Sequence, residues 1–428
     1  MAADNPSGHR QPPPGMLKPV AMQHEPAFGI DFGTTNSVVA RLGADGVSVA
    51  RHATGEVFRS ILCFQGSWRA HMAGPAAMEA YLDDPGACRL MMSLKSHLGQ
   101  RSLRDTLVFG RVLELEELVG LFLGHLLREA GVPPGSAVVA GRPVRFVGEG
   151  ADDALAEQRL RAAFRAAGIT DLRLVAEPEA AGHRFARGLN APAHVLVGDF
   201  GGGTSDFSVL RFAPGAPTQA LGHAGIGIAG DDFDAAILRH AVAPLLGQGG
   251  HYRVIEQALP VPVAFFAGFA RWHRLAQMRS PRQLRDIAEV ARLSDVPEQL
   301  AALIRLIEDE QGLSLYRSVA AVKAALSADE AAVLDFRHGG FSIQRRITRK
   351  EFEGWIARDL ARIAATVDAA LGEAGLGDGG IDHVFLTGGS AYVPAVRRIF
   401  EARFGAGRLA GGGEFTSVAE GLALMAGR

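Results

Sequence analysis

Short apolar runs that stop at small polar turns recur along the chain and predict strands joined by tight hairpins. Residues 27–32 form an apolar run that stops at residues 33–36, Gly-Thr-Thr-Asn, and resumes at residues 37–40. Residues 195–210 repeat this order of strand, Gly- and Thr-rich turn and strand. The first element of each hairpin is apolar except for one aspartate near its end, which is typical of a buried strand.

Asp31 and Asp199 hold equivalent places in these two segments. Each aspartate ends an apolar strand, is followed by Phe-Gly and introduces a turn that contains threonine. A pattern that occurs twice, so far apart in the chain, indicates two related lobes rather than an array of short repeats.

The remaining segments alternate between helical and extended patterns. We expect helices at 114–130, 152–167, 231–246, 348–371, 393–404 and from Ser417, with strands at 136–146, 172–175 and 384–386. Residues 260–326 are predominantly of helical pattern, with Gly312 as a break. This alternation predicts α/β layers with mixed sheets, because the two hairpins are antiparallel.

Composition narrows the class of protein without identifying a partner. The formal net charge of -2 gives no reason to expect nucleic acid or an anionic membrane as a partner. Two cysteines, Cys63 and Cys88, are too few for a disulfide framework and favour a reducing cytoplasm. No segment approaches the roughly 18 apolar residues of a spanning helix, and no apolar signal core follows the start. Residues 1–26 contain six prolines, and we expect them to form a disordered tail.

The two Asp-Gly-Thr hairpins suggest a phosphate site. Backbone N–H groups of small residues can bind phosphate oxygens, and the aspartates can hold Mg²⁺ directly or through water. Neither a P-loop nor a dinucleotide-binding Gly-x-Gly-x-x-Gly motif is present. Gly388-Gly389-Ser390 precedes the helix at 393–404, and by itself this is most simply a strand-to-helix turn.

Three segments together resemble the phosphate 1, phosphate 2 and adenosine motifs of the superfamily of actin, hexokinase and the 70-kDa heat-shock proteins: 28–40, 197–209 and 384–394. The likeness is specific to the heat-shock branch, through residues 29–37, 93–99, 176–181, 199–206, 229–234 and 323–327. Within that branch, the resemblance is strongest to the short YegD-type members that lack the peptide-binding domain, through the Gly-Arg-Pro-Val strand at 141–144 and the last helix from Ser417. The resemblance implies a two-lobed actin-like ATPase with duplicated ribonuclease H-like lobes: lobe I at 27–212 and lobe II at 213–428, with a helical insertion at about 250–318.

Carried over residue by residue, the resemblance implies a site for ATP or ADP with Mg²⁺. Asp31 and Asp199 would hold the metal through water, and Lys95 would lie against the γ-phosphate. The resemblance implies catalytic roles for Lys95, Glu177, Asp199, Thr204 and Asp206. It implies nucleotide contacts from Gly33, Thr34, Thr35, Gly201, Gly202, Gly203, Gly230, Lys323, Ser327, Gly388, Gly389 and Ser390.

The sequence departs from the family on the adenosine side. Ala320 stands where an acid usually binds the ribose, and Ala324 where an arginine stacks on adenine. Tyr392 replaces another arginine, and Phe415 aligns near the usual acid before the last helix. We therefore expect weaker nucleotide binding, because binding energy comes from both ends of a ligand.

The resemblance favours an ATP-binding, slowly ATP-hydrolysing chaperone-like protein of the cytoplasm. Because the chain ends at Arg428, soon after the last expected helix, we expect no peptide-binding domain of its own. Unfolded protein clients or co-chaperones stay open as partners, and neither nucleic acid nor membrane is expected. Two alternatives remain open, a small-molecule kinase of the same superfamily and a scaffold or filament protein switched by nucleotide.

Overall fold

A computed structural model describes residues 27–146, 150–214, 216, 218–270, 280–410 and 416–427. The expected N-terminal tail and Phe415 lie outside the described residues. The strands are β1 Ala27–Phe32, β2 Asn36–Gly43, β3 Gly46–Val49, β4 Phe58–Arg59, β5 Ile61–Gln65, β6 His71–Ala73, β7 Cys88–Met92, β8 Asp105–Val108, β9 Arg111–Glu114, β10 Val138–Arg142, β11 Leu172–Ala176, β12 Ala193–Phe200, β13 Ser205–Phe212, β14 Gln219–Ile226, β15 His251–Val254, β16 Gln257–Pro260, β17 Ala331–His338, β18 Phe341–Thr348, β19 His383–Thr387 and β20 Leu409–Ala410.

The α-helices are α1 Gly74–Asp83, α2 Leu115–Glu129, α3 Asp153–Ala166, α4 Glu177–Ala186, α5 Gly230–Ile237, α6 Pro281–Leu293, α7 Pro297–Glu308, α8 Gly312–Ala328, α9 Arg349–Ala374, α10 Pro394–Phe404 and α11 Ser417–Ala426. None of the helices in the described ranges is long and apolar enough to cross a membrane.

Two mixed sheets built on one plan organise the molecule. In the first, β1 pairs antiparallel with β2 and parallel with β10, in the order β11-β10-β1-β2-β3. In the second, β12 pairs antiparallel with β13 and parallel with β19, in the order β14-β13-β12-β19-β20. The repeated arrangement around β1 and β12 confirms the expected two-lobed α/β fold.

The expected lobe boundary at residue 212 needs correction, because it cuts the second sheet. β13 ends there, yet it is hydrogen-bonded on one side to β12 and on the other to β14. Backbone hydrogen bonds of this kind make adjacent strands one structural unit. We propose that lobe II begins before β12, and that α11, which packs on β1 and β2, belongs with lobe I.

Helix α11 packs unusually close to its neighbours and thereby fixes the end of β1. A Cβ atom on Gly29 of β1 would lie 2.2 Å from the backbone nitrogen of Ala423. A Cβ atom on Gly421 would lie 1.9 Å from the carbonyl oxygen of Ala180 in α4. Glycine is therefore required at both contacts. The contact at Gly29 fixes β1 two residues before Asp31.

The insertion in the second lobe is helical but begins with strands that the sequence analysis missed. β15 and β16 form a hairpin before the helices α6, α7 and α8. A second missed hairpin, β17–β18, follows α8, and its alternate residues Leu334 and Phe336 are buried. Its inward positions are separated by charged ones, which is the period-two pattern of a half-exposed strand.

We predict that Gly421→Ala lowers the free energy of unfolding by about 1–3 kcal/mol, because the methyl group meets backbone atoms that cannot turn away. Gly354→Ala in α9, where a Cβ would meet nothing within 4 Å, should raise it by about 0.5–1 kcal/mol. Urea unfolding of both variants measures the difference. Equal stability of the two variants would contradict the close packing of α11.

Candidate active site

A cavity of about 270 Å³ between the lobes collects nearly all the residues that the sequence analysis selected. Those lining it are Asp31, Gly33, Thr34, Thr35, Lys95, Glu177, Asp199, Gly201, Gly202, Thr204, Gly230, Lys323, Ser327, Gly388, Gly389 and Ser390. Gly203 and Asp206 are not among the lining residues. The cavity thus combines side chains from both sheets and from helices of both lobes.

The two Gly- and Thr-rich turns meet across this cavity. Thr35 Oγ1 donates a hydrogen bond of 3.4 Å to Asp231 Oδ1, and the Asp231 backbone N–H donates one of 2.8 Å to the Gly202 carbonyl. A Cβ atom on Gly202 would lie 2.1 Å from Thr35 Oγ1. A side chain at position 202 would displace the Thr35 hydroxyl from its hydrogen bond to Asp231, and glycine instead lets the second turn present backbone to the first.

Lys95 is a buried cation held in place by Glu177. It lies in a short 3-10 turn that follows β7, and its side chain is only 7% exposed. Its Nζ forms an ion pair and hydrogen bond with Glu177 Oε1 at the start of α4. Burial alone would lower the pKa of Lys95, but the charges of Glu177 and Asp31 outweigh burial and raise it. The lysine is therefore charged within the cavity.

Arg159 supports the turn that carries Lys95, a role that the sequence analysis missed. The alanine-rich pattern of α3 predicts a solvated Arg159, but the side chain is buried. Its Nη1 donates hydrogen bonds of 3.0 and 3.1 Å to the carbonyl oxygens of Leu98 and Gln100. These contacts close the loop after Lys95.

Four carboxylates surround this single lysine. Asp31, Glu177, Asp199 and Asp206 are all buried or nearly so. Burial, followed by the charge of Glu177, raises the pKa of Asp31 to about 7. The same causes, in the same order, raise the pKa of Asp199 well above its usual value. The excess of negative charge makes a cation in the cavity electrostatically favourable.

Asp206 lies behind the cavity, directly opposite Asp199 in the β12–β13 pair. Its Oδ1 accepts a hydrogen bond of 2.9 Å from the Val144 backbone N–H. Its Oδ2 is buried and has no hydrogen-bond partner in the described part of the protein. Burial and the charge of Glu177 raise its pKa to about 7. The open acceptor position is available to a water or ligand group.

The donors fit Mg²⁺ held through water rather than a direct metal site. Within the described ranges, no group of three or more His, Cys, Asp or Glu side chains could hold a metal ion. Mg²⁺ typically keeps several waters and takes one or two carboxylates together with substrate phosphates. Asp31 and Asp199 both line the cavity and would be the two carboxylates of such a site.

The third Gly-rich turn and Lys323 form the opposite end of the cavity. Lys323 Nζ donates hydrogen bonds to Asp234 Oδ2 at 2.7 Å and to the Gly230 carbonyl at 2.9 Å. Gly388 has a positive φ of 86°, and a Cβ on it would lie 2.2 Å from the Phe200 carbonyl oxygen. Ala320 and Ala324 also line this end. Small side chains thus stand here in place of the acid and the arginine that the resemblance implies.

The cavity also contains polar residues that the sequence analysis did not select. Asp231 and Asp234 lie within the quoted motif at 229–234, so that motif was a signal for them. Tyr316 contacts Asp231, with its hydroxyl 3.5 Å from Oδ1. Arg59 lies on β4, outside every motif, and no feature of the sequence distinguishes it from a surface arginine.

Comparison with known proteins shows which family the chain resembles. A family model described as Hsp70 protein matches residues 154–249 and 304–427, about half of the chain. The Chaperone protein HscA homolog of Bordetella pertussis is 27% identical over 426 residues, which cover 95% of this chain and 59% of that protein. The Chaperone protein DnaK of Thermus thermophilus is 26% identical over 400 residues, which cover 89% of this chain and 57% of that protein. The chain thus spans less than two thirds of the length of these curated relatives.

We predict that Asp206→Asn flattens the dependence of stability on pH in metal-free buffer. The raised pKa means that folded protein binds this proton more tightly than unfolded chain. The stabilisation from that proton is complete below about pH 4 and is lost as the pH rises through about 7.

Between pH 4 and 8 the wild type should therefore lose about 2–4 kcal/mol relative to Asp206→Asn. Urea unfolding across this range measures the difference, with Asp45→Asn at the surface as the matched control. Parallel curves for wild type and Asp206→Asn would show that the buried carboxyl does not titrate as described.

Proposed function

Because the chain belongs to the Hsp70 family, we propose that it binds ATP between its two lobes and slowly hydrolyses the γ-phosphate. The observation that carries this proposal is the meeting of two Gly- and Thr-rich turns beside Lys95 in one cavity. A triphosphate needs donors on several sides, and the turns offer backbone N–H groups from both lobes.

The phosphates would lie between Thr34 and Thr35 of lobe I and the turn at 201–204 of lobe II. The Thr35–Gly202 contact supports this proposal, because it leaves the second turn with no side chain that would keep phosphate oxygens away from its backbone. Binding at both turns would connect the lobes through the ligand. Nucleotide state could then open and close the cleft.

Lys95 would stabilise the charge that develops on the transferred phosphoryl group. Its burial strengthens this effect, because a charge acts more strongly where water is excluded. Glu177 holds the ammonium group in place and, with Asp206, would orient the attacking water. Asp206 would act from behind Asp199, since it does not line the cavity.

Asp31 and Asp199 would hold Mg²⁺ through water. When bound, Mg²⁺ neutralises charge on the β- and γ-phosphate oxygens. The raised pKa values of both aspartates support this assignment, because burial and the charge of Glu177 disfavour their ionised forms, which a nearby divalent cation would stabilise. Dependence on Mg²⁺ is accordingly part of the proposal.

Lys323, Ser327 and the turn at 388–390 would receive the nucleoside. The alanines at 320 and 324 offer no charged group to it, which supports the expected weaker binding on the adenosine side. As the two curated relatives are named chaperones, we extend a chaperone role in the cytoplasm, with protein clients or co-chaperones as partners, to this chain as a proposal.

We predict that Lys95→Ala lowers the single-turnover rate of ATP hydrolysis about 100- to 1000-fold, because one preorganised charge at the transferred group is lost. Asp199→Asn should cause a comparable loss through the metal. Phosphate release from MgATP measures both. Lys350→Ala, which removes an exposed lysine of α9, is the matched control and should keep the wild-type rate. Equal background rates for wild type and Lys95→Ala would overturn the catalytic assignment.

A further inference from the structure

Arg59 is placed rigidly at the edge of the first phosphate turn. It lies on β4 and pairs in register with Asn36 of β2, which is the last residue of that turn. The next residue, Ser60, donates from its hydroxyl to the Gly33 carbonyl at 2.7 Å and from its backbone N–H to the Thr35 carbonyl at 2.9 Å. Ser60 therefore fastens the strand to the turn, and Arg59 lines the cavity.

Most hydrogen-bond donors of the Arg59 guanidinium are not used by the described residues. Its Nη1 donates a hydrogen bond of 3.0 Å to Asn36 Oδ1. Among the described residues, Asn36 is the hydrogen-bond partner of the Arg59 side chain. No carboxylate of these residues forms an ion pair with Arg59 within 4 Å. A guanidinium carries five N–H donors, so most of them are left for a ligand.

The electrostatic surroundings of Arg59 come from lobe II, across the cleft. Burial lowers its pKa, and the charges of Asp231, Tyr316 and Asp234 raise it while that of Arg317 lowers it. An arginine stays charged under such conditions, because the pKa of a guanidinium lies far above neutral pH. Arg59 is thus a half-buried cation of lobe I that lines the same cavity as Asp231 and Asp234 of lobe II.

We propose that Arg59 is a phosphate-binding residue of the nucleotide site and donates its remaining guanidinium N–H groups to phosphate oxygens of the bound nucleotide. This inference rests on the proposed nucleotide function. A guanidinium has donors only, and its fork matches the oxygens of a phosphate. Its attachment to the turn that contains Thr34 and Thr35 sets it beside the expected phosphates rather than the base.

The assignment also explains how the site can work without charged groups at 320 and 324. A half-buried arginine on the phosphate side supplies binding energy that the alanines on the other side do not. Affinity should then depend more on the phosphates than on the nucleoside.

Calorimetric titration with MgATP tests the proposal on the full chain. Arg59→Met keeps the apolar stem and removes the charge, and we expect it to weaken ATP binding about tenfold or more. Arg59→Lys keeps the charge without the fork and should fall between Arg59→Met and wild type. Arg317→Met, which removes a nearby exposed arginine of α8, is the matched control and should bind within about twofold of wild type.

Urea unfolding of the nucleotide-free variants separates ligand binding from folding, and we expect the same midpoint for wild type and Arg59→Met. Wild-type ATP affinity in Arg59→Met, or an equal loss in Arg317→Met, would overturn the role of Arg59 and leave the proposed function standing. A wild-type protein that binds no ATP would overturn both.

Discussion

The contact between Thr35 and Gly202 is the constraint on which the rest of the site depends. A Cβ atom at position 202 would lie 2.1 Å from Thr35 Oγ1, so a side chain there would push the Thr35 hydroxyl away from Asp231. The turns belong to different sheets, and each follows a buried strand whose second-last residue is an aspartate. Their contact therefore brings Asp31 and Asp199 to one cavity, which residues of both lobes line.

Charge is the second constraint, and it follows from the first. Once the strand ends meet, Asp31, Asp199 and Glu177 line one cavity with Lys95, and Asp206 lies behind Asp199. Such a cluster is costly in the absence of a ligand, because burial and mutual repulsion disfavour the ionised carboxyl groups. The close backbone contacts of Gly29 with α11 and of Gly421 with α4 fix the packing around the first strand.

The sequence predicted the parts of the site that repeat or carry a motif. Asp31 and Asp199 could be found because each ends an apolar run before a Gly-Thr turn, a local pattern that survives in the fold. The lobe boundary could not be found in this way, because β13 and β14 join one sheet through backbone pairing that local sequence does not reveal. Arg159 and Arg59 were missed for a related reason. Burial of a lone arginine is decided by tertiary neighbours, such as the carbonyls of Leu98 and Gln100, and leaves no trace in local periodicity.

The central claim, that both turns bind one nucleotide, is tested most directly by amide hydrogen exchange of the full chain during a titration with MgATP. The account predicts that peptides covering residues 33–36 and 201–204 gain protection together, with the same midpoint in ATP concentration. Protection of one turn alone, or of the two turns at different ATP concentrations, would contradict a single triphosphate held between the lobes.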